Sequence, residues 1–160
     1  MRILPVLAVL LLATPAAAQE PFASRVLDAH NSERAAVGTA PLTWSEPLER
    51  DAQAWAETLA RKGGGLEHAD QRGQGENLWM GPANAYSVEQ MVAGWAAEKR
   101  YYSPGVFADV VQSGNVVGHY TQIVWRSTTE VGCAVARAAE NEVLVCRYGP
   151  PGNYIGKTAY

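Results

Sequence analysis

Residues 131–148 read Val-Gly-Cys-Ala-Val-Ala-Arg-Ala-Ala-Glu-Asn-Glu-Val-Leu-Val-Cys-Arg-Tyr. Two Val-rich runs flank Ala138, Ala139, Glu140 and Asn141, which is the pattern of two strands joined by a turn. With the turn centred between Ala139 and Glu140, Val135 faces Leu144 and Cys133 faces Cys146. The register that makes the hairpin therefore also sets the two sulfurs opposite each other. These are the only 2 cysteines in the 160 residues. A bridge between them would contribute about 3 kcal/mol on a chain-entropy estimate. The alternative is a pair of buried free thiols.

The compartment bears on that choice, and the first 18 residues address it. Met1–Ala18 reads MRILPVLAVLLLATPAAA. Arg2 supplies a basic start, residues 3–13 an apolar run, and Ala16-Ala17-Ala18 a small-residue cleavage site, the three-part pattern of a secretory leader. The run is too short to span a bilayer. Cleavage would leave residues 19–160 as one domain, in a compartment where cysteines pair. The expected location is extracellular, or periplasmic if the source is a Gram-negative bacterium. No later stretch is long enough for a transmembrane segment.

Composition excludes several classes. Hydrophobic residues make up 48% and charged residues 18%, which rules out a disordered chain. A net charge of −3, with Lys and Arg scattered, leaves no basic footprint, so nucleic acid is not an expected partner. A monomer is expected.

Working back toward the N-terminus, three helices are legible. The first runs from about Pro21 to Val37, with Phe22, Val26 and Leu27 on its apolar side and Gly38 as its stop. The second begins after Ser45, with Pro47 in its first turn. Leu48, Ala52, Trp55 and Leu59 share one face of it, which places Trp55 in the core. The third starts at Ser87, with Gln90 completing a capping box. Val88, Met91, Val92 and Trp95 form its buried stripe. Residues 75–80 read as a short strand. Residues 119–125 fit a strand by composition and a helix by spacing, and propensity alone does not choose between them. Helices segregated from a hairpin-built sheet imply an α+β fold.

Among polar residues, Glu98 is the most informative. It lies three residues after Trp95 and continues the buried stripe, so its carboxylate either faces a cavity or partner, or turns outward by fraying. His68 and His119 sit in turn or strand sequence. Two histidines with two carboxylates suit Zn²⁺ in kind, but no H-E-x-x-H spacing is present. His30, mid-helix, reads as a packed structural residue. No G-x-S-x-G elbow, dinucleotide fingerprint or phosphate loop occurs. The residues by themselves lead to a secreted α+β domain with a His/Glu cleft.

Residues 118–128 (Gly-His-Tyr-Thr-Gln-Ile-Val-Trp-Arg-Ser-Thr) followed by Val131-Gly132-Cys133-Ala134 closely resemble the first signature of the CAP superfamily. This group contains cysteine-rich secretory proteins, insect antigen 5 and the class-one pathogenesis-related proteins of plants. Residues 144–156 (Leu-Val-Cys-Arg-Tyr-Gly-Pro-Pro-Gly-Asn-Tyr-Ile-Gly) resemble its second. His30-Asn31, Pro41-Leu42-Thr43-Trp44, Gly75-Glu76-Asn77 and Trp95-x-x-Glu98 match as well, and the plant-type branch is the most similar. The resemblance covers about Val26 to Tyr160. It implies an α-β-α sandwich with a central antiparallel sheet between helical layers, and a short helix around His119.

The resemblance further implies a cleft carrying His68, Glu76, Glu98 and His119 as ligands for Zn²⁺ or another divalent cation. It also implies a ligand-binding loop for sterol or lipid at Tyr101, Tyr102, Val106 and Phe107. Two departures stand out. Ala69 follows the first histidine where the family usually has Ser, and Val116-Val117 occupies a position where plant members carry a cysteine. The functional expectation is a non-enzymatic binding module for sterol, lipid or another small apolar ligand. The alternatives are a metal-dependent hydrolase with Glu76 or Glu98 as catalytic base, and a secreted defence or interaction protein with a vestigial cleft.

Overall fold

Along the chain run α1 (Phe22–Ala36), β1 (Thr43–Trp44), α2 (Glu46–Lys62), β2 (Gly75–Pro82), α3 (Val88–Ala96), a 3-10 turn (Ala97–Tyr101), α4 (Gly118–Ile123), β3 (Glu130–Ala138) and β4 (Asn141–Gly149). This computed structural model describes residues 20–70, 73–108, 114–138 and 140–160. The expected leader and its cleavage site lie outside the described residues. Among the described residues, no helix is long and apolar enough to cross a membrane.

The hairpin of β3 and β4 forms in the expected register, with Val135 opposite Leu144 and Cys133 opposite Cys146. The two sulfurs are bonded. β2 adds antiparallel to β4, and β1 adds parallel to β3, giving the order β1-β3-β4-β2. The expected antiparallel sheet is thus mixed. Its parallel member is two residues long and enters directly from the loop before α2.

Strand alternation divides the core into two. Val131, Cys133, Leu144, Cys146 and Tyr148 face one side, where they meet Val26 of α1, Val92 and Trp95 of α3 and Ile123 of α4. Ala134, Ala136, Val143 and Val145 face the other side, against Ala52, Ala56 and Leu59 of α2. Helices on both faces of the sheet make the α-β-α sandwich, and β4 is buried along almost its whole length because both its faces are covered.

Local chemistry explains the helix ends. Ser87 Oγ accepts from Gln90 N–H, and Gln90 Oε1 accepts from Ser87 N–H, the expected capping box. Ser45 is the N-cap residue of α2 but makes no side-chain cap bond.

Trp55 departs from expectation. It is half-buried, and its indole N–H reaches the Glu67 carbonyl at 3.0 Å. The face that meets the sheet is instead Leu48, Ala52, Ala56, Leu59 and Ala60. Three alanines at four-residue spacing let the helix approach closely, and Gly132 of β3 makes that approach possible. A Cβ there would stand 2.2 Å from Glu49 N and 2.6 Å from Ser45 O. A helix drawn this near leaves room for methyl groups at its centre, and the large indole is displaced to its edge.

Candidate functional site

β2 is an edge strand, and two consecutive residues of it serve the two faces of the sheet. Glu76 sits directly across from Arg147, and its Oε2 lies 2.9 Å from Arg147 Nη2. Its Oε1 faces His68 Nδ1 at 2.5 Å and accepts from Ala69 N–H at 3.1 Å. Asn77, on the opposite face, donates to the His119 carbonyl at 3.1 Å. Period-two alternation thus lets a single strand hold one histidine through a carboxylate and position the other through an amide.

His119 is the second residue of α4. Its Nδ1 lies 2.6 Å from Glu98 Oε1, while Glu98 Oε2 accepts from the N–H groups of His119 and Tyr120 at 3.0 and 3.2 Å. Glu98 comes from the 3-10 turn that continues α3, so the carboxylate turns inward rather than fraying outward. The ring of Trp95, one turn earlier, stacks on the imidazole with centroids 6.0 Å apart, and its indole N–H is fixed to Leu78 O.

His68, Glu76, Asn77, His119 and Asn153 line one cleft of about 260 Å³. The tail closes it, with Asn153 accepting from Thr121 Oγ1 at 2.7 Å and donating to Gly118 O at 2.8 Å. His68 is 67% exposed on its side chain, whereas Glu76 is almost fully buried. Of the four expected metal-site residues, His68, Glu76 and His119 line the cleft, and Glu98 braces His119 from behind. Among the described residues, no three His, Cys, Asp or Glu side chains converge as a cage for a metal ion. Each carboxylate instead engages the Nδ1 of one imidazole, Glu76 that of His68 and Glu98 that of His119. A carboxylate at Nδ1 fixes the proton there and leaves the Nε2 lone pair for a ligand.

A buried polar chain runs beneath the cleft. His30 Nδ1 lies 2.8 Å from Val26 O, which can only accept, so Nδ1 carries the proton. Nε2 then accepts from Tyr148 OH at 2.9 Å, and Tyr148 O accepts from Asn77 Nδ2 at 3.1 Å. His30 is the packed structural residue expected. Burial pushes its pKa down to about 4, a fall that the Val26 carbonyl opposes and the Arg34 charge reinforces. Burial likewise pushes the Tyr148 phenol well above its ordinary value.

Sequence reasoning missed Arg34. Although buried, it donates only to carbonyls: Ala40 at 2.6 Å, Ile123 at 2.8 Å, Trp125 at 3.0 Å and Thr128 at 2.8 Å. It holds the C-terminal end of α4 as Glu98 holds the beginning. Burial lowers its pKa to about 10. The spacing Val26, His30, Arg34 along one face of α1 was the available signal.

The expected ligand loop is mostly engaged in packing. Tyr102 lies between Tyr120 and Tyr160, with centroids 5.6 and 5.5 Å away. Phe107 stands edge-on to Trp125 at 6.0 Å. The Arg100 guanidinium covers Tyr101. Val106, 39% exposed, bridges to Thr158 of the tail.

The profile of the cysteine-rich secretory protein family, CAP, matches residues 27–148. Pathogenesis-related protein 1C of Nicotiana tabacum is 43% identical over 136 residues, which cover 84% of this chain and 78% of that protein. Pathogenesis-related protein PR-1 of Medicago truncatula is 38% identical over 141 residues, covering 87% and 79%. Among solved structures, that of NaASP2 with Zn²⁺ aligns with a TM-score of 0.74 at 26% identity, covering 92% of this chain and 90% of that one. The similarity thus runs over most of the chain in sequence and in overall fold, and the chain belongs to the cysteine-rich secretory protein (CAP) family, in its plant pathogenesis-related branch.

Proposed function

We propose that this is a secreted, non-enzymatic binding protein that takes a divalent cation in the cleft through Nε2 of His68 and Nε2 of His119. The observation that supports this is the pairing of each histidine Nδ1 with a glutamate, Glu76 and Glu98, on the walls of one cleft. The crystal structure of the related NaASP2 contains Zn²⁺, which agrees with this reading. The same pairing argues against hydrolysis. Both carboxylates are committed to holding the imidazoles and the backbone around them: Glu76 accepts from Ala69 N–H and faces Arg147, and Glu98 accepts from the N–H groups of His119 and Tyr120. Zn²⁺ titration by calorimetry tests the site. His119→Ala and His68→Ala should each weaken binding by tenfold or more, in line with the loss of a ligand, and the double variant should show none. Equal affinity for wild type and the double variant would overturn the reading.

A second reading, binding of sterol, lipid or another apolar ligand, is supported by the exposure of Val106 on a strap bonded to the tail that carries Tyr154 and Ile155, both also exposed. Saturable binding of labelled cholesterol or fatty acid by the secreted protein is the expected result. Absence of both would count against it.

A further inference from the structure

The tail that closes the fold also forms a second concave surface, which shares no lining residue with the histidine cleft. Residues 125–127 and residues 154–158 border a groove of about 600 Å³, a size typical of small-molecule sites. Trp125, Tyr154 and Ile155 supply its apolar part. Ile155 is 82% exposed and Tyr154 53%. They stand on a fixed platform. Lys157 N–H closes the turn onto Tyr154 O at 3.1 Å, and Gly156 takes the positive φ of 83° that the turn requires. Phe107 N–H donates to Lys157 O at 2.6 Å, and Arg126 N–H donates to Ala159 O at 2.7 Å. A lone exposed isoleucine needs no explanation. This one borders a groove whose charged lining is all of one sign.

That charge comes from Arg126 and Lys157. Neither side chain has a carboxylate partner among the described residues, in a protein whose acids outnumber its bases. Ser127 and Thr158 add hydroxyls. We propose that this groove binds a small anionic aromatic amphiphile, an aryl acid whose rings lie against Tyr154 and Ile155, over the buried Trp125, and whose acid group meets Arg126 and Lys157. A neutral body of the same size would cover the two cations without answering their charge, and desolvation would count against it. A bilayer surface fits less well, because two cations on a net-negative protein attract anionic lipid weakly. The inference rests on the apolar-ligand reading, which it deepens by naming the groove and the head group, and it is independent of the metal cleft.

Fluorescence titration of the secreted protein with anilinonaphthalene sulfonate tests it, alongside phenylnaphthylamine, which has the same rings without the acid. The sulfonate should bind saturably at one site, more tightly than the neutral dye, and more weakly as salt is added. Arg126→Gln and Lys157→Gln should each weaken the sulfonate by about twofold to fivefold, and leave the neutral dye unchanged. Ile155→Ser should weaken both dyes by about tenfold. All three side chains are exposed, so the unfolding midpoint should stay put. His68→Ala and His119→Ala should change neither dye. Equal affinity for the two dyes, or charge variants without effect, would overturn the acid-head inference, as would non-saturating binding. Conversion of a dimer to a monomer by Ile155→Ser, with dye binding unaltered, would mark the patch as a self-interface and overturn it too. If labelled cholesterol bound saturably while the sulfonate did not, the apolar-ligand reading would stand and this inference would fail. If neither dye, nor cholesterol, nor fatty acid bound, both would fail.

Discussion

Acidification should destabilise the protein through His30. In the folded state its imidazole is fully buried and neutral, with a pKa held down to about 4 by burial. In the unfolded chain it returns to the ordinary value of about 6.5. As pH falls through 6.5 the unfolded state takes up a proton that the folded state refuses. Stability is therefore full above pH 6.5, declines as pH falls, and levels off below about pH 4 on this account. The interval is worth about 2 kcal/mol by pH 5 and about 3 kcal/mol by pH 4. That is a large share of the roughly 5–15 kcal/mol typical of a whole domain. Protonation also places a second N–H at Nε2, against Tyr148 OH, which now donates there, so the chain through Asn77 to the His119 carbonyl is disturbed as well. The assay is urea unfolding followed by circular dichroism at several pH values, on wild type and on His30→Gln. The variant starts less stable, and carboxylates titrate in both proteins, so the difference in pH slope isolates the imidazole. Parallel slopes for the two proteins between pH 6.5 and 5 would refute the reasoning.

Three further outcomes follow from packing. Gly132→Ala sets a methyl against the backbone of the first turn of α2 and should cost about 3 kcal/mol, at the upper end of overpacking, because backbone cannot swing aside; an unchanged urea midpoint would contradict it. Trp55→Ala should cost about 1–2 kcal/mol, short of the 3–5 kcal/mol of a fully buried aromatic, and a loss in the higher range would return Trp55 to the core. Cys133→Ser with Cys146→Ser should remove about 3 kcal/mol. The intact mass of the native protein should be two hydrogens below that of the dithiol, and two thiols open to alkylation would contradict the bridge.

What was legible in the sequence was what depends on short-range periodicity. The hairpin register could be read because alternation and turn are local, and the disulfide followed from it. Glu98 stood out because it extends a helical stripe by one turn, but spacing left open whether it turned inward, which its bonds to the start of α4 decide. The segment at His119 could not, because six residues satisfy both periodicities. Its helix depends on the distant partners Glu98 at one end and Arg34 at the other. Trp55 misled because spacing gives a helix face but not how closely that face lies on a sheet, which Gly132 decides from far along the chain. The bond from His68 to Glu76 crosses an aperiodic loop, so only the family resemblance pointed to it. The role of Asn77 becomes apparent only once β2 is known to carry Glu76 on one face and its neighbour on the other.

The strand order β1-β3-β4-β2 also has a meaning in time. β4 is the neighbour of both β2 and β3, and it is the last of the four strands to leave the ribosome. Until it arrives β2 has no partner, and the helices made before it have no finished sheet to cover. Ala159, buried against the core, arrives later still. Nascent chains fold domain by domain as they emerge, but this topology defers closure until α1 to α4 have all been made. If the leader read in residues 1–18 routes the chain through a membrane channel, such lateness would keep it transportable through most of its synthesis. It also means that a chain cut short at residue 140 would carry α1 to α4 and no finished sheet.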